Sequence, residues 1–75
     1  MSFLLPQERT GVVRQSRPVD IHGDRYVDVA IDLEGAPGES KTGRVAASEC
    51  PPDLAPGDRV SVRFVMGVMV KVTRA

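Results

Sequence analysis

At 75 residues, with ten basic and ten acidic side chains and a formal net charge of zero, the chain has room for one small domain (1–75) and no global field to draw it to DNA or an anionic membrane. One Cys and one His leave no material for a disulfide framework or a Cys/His metal cluster, and neither metal nor cofactor is expected. The opening apolar run, Phe3-Leu4-Leu5, is stopped by Pro6, far short of a signal-peptide core or a membrane span, so a soluble, cytoplasmic protein is expected.

Six Pro and seven Gly punctuate the chain, and the segments between them alternate in polarity rather than repeating at helical spacing. Thr10 to Ile21 is predicted as the first strand, with Pro18 marking a bend or an edge position. His22-Gly23-Asp24 turns it into Arg25 to Leu33. There Val27, Val29, Ile31 and Leu33 share one face, and Tyr26, Asp28, Ala30 and Asp32 the other, as in a strand with one buried and one wet face.

The connection that follows, Gly35 to Thr42 (GAPGESKT), nearly matches the phosphate-binding loop G-x-x-x-x-G-K-[ST], with Ser40 in place of the second Gly. Such a loop needs a helix directly behind it, so that backbone N–H groups and the helix terminus converge on the phosphates. The next residues, Gly43 to Ala47, are too short for one and run into Pro51. We therefore read a Gly/Pro connection between antiparallel strands, no nucleotide site, and a solvated Lys41.

Lys41 to Ala47 is the third strand. Pro51 and Pro52 limit Ser48 to Leu54 to at most one helical turn, with Leu54 plugging the end of a barrel. Ala55-Pro56-Gly57-Asp58 places Pro at i+1 and Gly at i+2 of a type II turn. Arg59 to Phe64 and Val68 to Arg74 form a last hairpin. A two-residue Met66-Gly67 turn would pair Val62 with Lys71, whereas a three-residue Val65-Met66-Gly67 loop pairs Val62 with Val70 and keeps one face apolar, so the longer loop is predicted.

Three strands, a short helical turn and two more strands resemble the OB-fold, an all-β, five-stranded Greek-key barrel with one short helical turn between strands 3 and 4; an SH3-like barrel is the alternative. Two narrower likenesses follow. IHGDRYVDV with GDRVSVRFVMGVMVKV resembles the C-terminal OB domain of NfeD-type membrane-associated proteins, and SECPPDLAPGDRV is similar to molybdate-binding Mop/TOBE barrels. The chain lacks a membrane segment and the Ser/Ala-Arg-Asn start of the Mop type, and no functional residue is carried over from either.

Nothing assembles a catalytic constellation. His22, between Asp20 and Asp24, reads as an exposed turn residue, and Cys50 before Pro51 as a small buried one. Charge placement says more. Arg9, Arg14 and Arg17 lie on strand 1 without an acid among them, and Arg59, Arg63, Lys71 and Arg74 on strands 4 and 5 likewise. In an OB barrel strand one neighbours strand four and strand four neighbours strand five, which would join these into a basic stripe. The competing reading pairs Arg14 and Arg17 with Asp28 and Asp32 across the sheet.

The leading expectation is a non-enzymatic OB-like module binding single-stranded DNA or RNA. Arg14, Arg17, Arg59, Arg63 and Lys71 would hold phosphates, and Tyr26 would stack on a base. The alternative is a protein-assembly or homo-oligomerisation module that uses the apolar hairpin tip, Val65, Met66 and an outward Met69, together with a strand edge.

Overall fold

The computed structural model describes residues 6–36 and 38–75, so the Phe3-Leu4-Leu5 run lies outside the described residues. Five strands follow one another: β1 (Gln7–Ile21), β2 (Asp24–Leu33), β3 (Ser40–Ala46), β4 (Arg59–Val65) and β5 (Val68–Arg74), with one 3-10 turn, Ala47–Glu49, after β3. They form a single antiparallel sheet in the order β3-β2-β1-β4-β5. The expected all-β class is observed, and so are the expected neighbours of strands one, four and five. β1 begins earlier than its local pattern suggests because Gln7, Glu8 and Arg9 pair with Phe64, Arg63 and Val62.

β1 serves two partners. Gln7 to Val12 pair with β4, and Gly11 to Ile21 pair with β2. Just past the overlap of the two ladders at Gly11 and Val12, Val13 faces Ile31 but Gln15 faces Ala30, leaving Arg14 as the extra residue of a bulge. A bulge sharpens the local twist, and here it lets one strand leave β4 for β2. The turn after Pro56 is fastened to the same point: Val13 N–H donates to Asp58 O, and Gly57 N–H to Val13 O, both at 2.8 Å. Gly57 has φ +95° and Asp58 N–H returns to Ala55 O, the type II turn expected there.

The inward residues of the strands make the core, with Val13, Ile31, Val45, Val60, Val62 and Val72 almost wholly buried. Each such side chain contributes about 1.5–3 kcal/mol by leaving water. Cys50, Leu54 and Phe64 pack against this cluster while only half-buried.

Antiparallel pairing all round the sheet leaves β3 and β5 parallel to one another, and no ladder joins them. The expected closed barrel is therefore a curled sheet with a seam. Side chains seal it: a Cβ built on Gly43 of β3 would lie 2.9 Å from Cβ and 3.0 Å from Sδ of Met69 on β5. The absent side chain of Gly43 is the space that Met69 occupies.

That contact corrects the predicted hairpin. Val65 pairs with Val68, so the loop has two residues, Met66 (φ +53°) and Gly67 (φ +79°), as in a type I′ turn. Phe64 then faces Met69, but Arg63 faces Lys71 and Val62 faces Val72. Val70 is the extra residue of a second bulge, which restores the apolar face that the short turn would otherwise have sent outward. Met69, expected outward at the tip, is buried at 5% exposure.

Gly11 is the most crowded of the glycines: an added Cβ would stand 2.5 Å from Asp32 O and 2.7 Å from Ile31 Cγ2. Backbone cannot yield as a flexible side-chain end does, so Gly11→Ala is expected to lower unfolding stability by about 2 kcal/mol or more. Urea titration of the purified variant checks this, and an unchanged midpoint would show that the β1–β2 crossing is looser than described.

Candidate ligand-binding face

The registers of β1, β2 and β3 align their outward side chains in rows. Val19, Tyr26 and Ala46 form one row; Arg17, Asp28 and Arg44 the next; Gln15, Ala30 and Thr42 the third. The second and third rows line an open groove of about 460 Å³ on the outer face of the sheet. Tyr26, half-buried, stands in the neighbouring row and lines a separate cleft of about 490 Å³ with Pro18, Cys50, Pro51 and Leu54.

Within the middle row the charges are unequally matched. Arg44 donates Nε–H to Asp28 Oδ1 at 2.7 Å and a terminal N–H to Oδ2 at 3.0 Å, a bidentate pair. These hydrogen bonds hold the Asp28 carboxyl below its ordinary range, with the charges of Arg44 and Arg17 adding to the effect. Asp28 pushes the Arg44 guanidinium up in turn, and the Tyr26 phenol adds a little. Arg17 stands opposite Asp28 on β1 but, among the described residues, forms no ion pair of its own. The row carries two guanidinium groups and one carboxylate.

The other expected phosphate ligands are not brought to this face. Arg14 lies on the bulge, 3.9 Å from Asp32. Arg59 is held by Glu34 through contacts of 2.8 and 3.1 Å. Arg63 and Lys71 pair across β4 and β5, in a row that begins with Glu8 on β1, and Lys71 Nζ lies 3.9 Å from Glu49. The predicted stripe is thus two patches on different strand pairs, separated by the Asp32 and Glu34 ion pairs. Arg44, Gln15 and Thr42 escaped the sequence reading, because their place beside Arg17 and Asp28 follows only from the register of three strands.

Glu34 does more than neutralise a cation. Just past β2, it accepts a hydrogen bond from the Thr10 hydroxyl at 2.7 Å as well as those from Arg59, while its own N–H donates to Thr10 O at 3.0 Å. The carboxyl is lowered mainly by Arg59 and then by Thr10. Asp58 is lowered by the Ala55 N–H first and by Arg74 second.

At the hairpin tip Met66 and Val68 are 66% and 60% exposed, Val65 is half-buried and Val70 is exposed. Val68 and Val70 thus stand at the tip in place of Met69. In the β2–β3 connection, Gly35 and Gly38 take φ of +79° and +78°, and β3 rather than a helix carries Lys41 and Thr42. His22 is an exposed residue of the β1–β2 turn, its neighbour Asp20 paired with Arg25 at 3.3 Å. Burial pushes the Cys50 thiol up. Among the described residues no group of three His, Cys, Asp or Glu gathers to hold a metal, and no helix is long and apolar enough to cross a membrane.

Asp28, Glu34 and Asp58 all have folded-state pKa values below the ordinary carboxylate range. Their contribution is therefore complete above about pH 4–5 and is lost as pH falls through the depressed values. Melting temperature is expected to hold near neutrality and to decline below about pH 4, less steeply in Glu34→Gln than in the parent chain. A Glu34 carbon resonance titrating at or above the ordinary glutamate range would contradict the Thr10–Glu34–Arg59 geometry.

The chain matches no protein-family model, no curated protein and no solved structure.

Proposed function

We propose that the chain is a non-enzymatic, OB-like binding module that takes single-stranded nucleic acid on the outer face of β1, β2 and β3. The OB reading draws on the strand order β3-β2-β1-β4-β5 and the one-turn element between β3 and β4, and OB-folds use the face of strands 2 and 3 for oligonucleotides. The observation that carries the ligand class is Arg17, a guanidinium that forms no ion pair of its own among the described residues and lines an open groove, one cross-strand row away from Tyr26. Arg17 and the outer edge of Arg44 would hold successive phosphates, and Tyr26 would receive a base. Zero net charge and a single outward tyrosine fit a weak, short-footprint binder.

Two phosphate contacts give an expected slope of log affinity against log salt of about −1.4 for a single strand. Arg17→Ala should reduce that slope by about 0.7, and Tyr26→Leu should weaken binding about tenfold with the slope unchanged. Arg63→Ala, on the other patch, should change neither. Fluorescence anisotropy with labelled oligo-dT and oligo-U at 20 and 150 mM salt reads all three, and no binding at the lower concentration sinks the proposal.

A second reading is favoured by the tip. Met66 and Val68 are large apolar residues left mostly in water next to Val65 and Val70, on a strand at the sheet's edge. Self-association through this tip would bury them. Sedimentation over a hundredfold range of concentration should show a dimer that Met66→Lys dissociates; a monomer throughout excludes it.

A further inference from the structure

The alternation that fills the interior continues past its last apolar residue. At the end of the sheet where β1 begins and the β4–β5 hairpin turns, Gln7 stands opposite Phe64, Arg9 opposite Val62, and Lys41 opposite Ile31. All three partners are inward residues of the core or packed against it. Gln7, Arg9 and Lys41 accordingly line one cavity of about 190 Å³, whose apolar wall is Leu33 and Phe64 and whose rim is formed by Gly67 and Glu39.

Neither Arg9 nor Lys41 is ion-paired among the described residues, although Glu39 stands on the same rim. An inward lysine on an edge strand is a recognised guard against edge-to-edge pairing, and β3 is an edge of this sheet. That accounts for Lys41 but not for Arg9, which lies half-buried on β1, the central strand. Two cations and one carboxylate thus share the lining of one small, part-apolar cavity, and the net positive charge that remains suits an anion.

We infer that this cavity binds a small oxyanion carrying a short apolar group. The Arg9 guanidinium offers a planar fork to a carboxylate or phosphate, Lys41 a second charge, and Gln7 an amide donor. Leu33 and Phe64 face the apolar portion. A water occupies about 30 Å³ of liquid, so the cavity holds a compact ion and not a nucleotide. It opens inside the curl of the sheet, away from the groove of Arg17 and Tyr26, and its test is independent of nucleic-acid binding.

The test is a titration of the full-length, ¹⁵N-labelled chain with sodium phosphate and, separately, sodium butyrate, against sodium chloride at matched ionic strength. The expected result is a saturable shift of the Arg9, Leu33, Lys41 and Gly67 amides with at least one oxyanion and none with chloride. The stronger of the two identifies the head group. Arg9→Gln and Lys41→Gln should each weaken binding at least fivefold while their spectra stay dispersed, and Arg63→Gln should leave it unchanged. Shifts that follow ionic strength alone, or that persist in the Arg9→Gln/Lys41→Gln double variant, would overturn the inference and leave Lys41 as a guard of the sheet edge and Arg9 as a solvated cation.

Discussion

One strand has to satisfy two neighbours that lie on different sides of it. β1 gives its first half to β4 and its second to β2, and both ladders pass through Gly11 and Val12. No side chain fits at Gly11, because the β2 backbone lies where its Cβ would be. The bulge at Arg14 then turns the strand, and the Gly57–Asp58 backbone fastens the turn. Everything else is referred to this crossing. The curl that brings β3 to β5, the inward face that gathers the valines, and the outer groove are consequences of β1 changing partners within a few residues.

The crossing also decides the electrostatics. A neutral chain with equal numbers of acids and bases can have any surface, from fully paired to sharply divided. Here three of the six ion pairs among the described residues lie around the crossing: Arg14 with Asp32, Arg59 with Glu34, Arg74 with Asp58. Exposed pairs of this kind add little stability each, but they decide which cations remain for other partners. Among the described residues, Arg17 and Arg63 on the outer face and Arg9 with Lys41 at the inner mouth are left over, on opposite surfaces of the same sheet.

Much of the fold could be read from local pattern. Val27, Val29, Ile31 and Leu33 alternate so cleanly that β2 and its buried face follow from periodicity, and Pro56-Gly57 names its own turn. The last hairpin did not yield to the same logic. Its turn is shorter than the alternation allows, and a single bulge at Val70 repairs the parity. A period of two carries no mark of an inserted residue when valine stands on both sides of it. The distribution of paired and unpaired cations escaped for another reason: sequence places Arg17 and Arg59 on neighbouring strands, but only the registers show Glu34 claiming one and Asp28 turning to Arg44. Gly11 was unremarked because a close approach of backbones has no signature in one chain.

The unladdered seam between β3 and β5 has a mechanical meaning. The two strands meet along a line of side-chain contact, with Met69 over Gly43 and no backbone ladder. The β4–β5 hairpin is otherwise tied to the sheet by the β1–β4 ladder, so the molecule has the connectivity of a clasp with two arms. The inner mouth lies across that line, with Lys41 on one arm and Phe64 and Gly67 on the other. An ion held there as inferred would touch both arms, as a pin does in a clasp, and resist their parting.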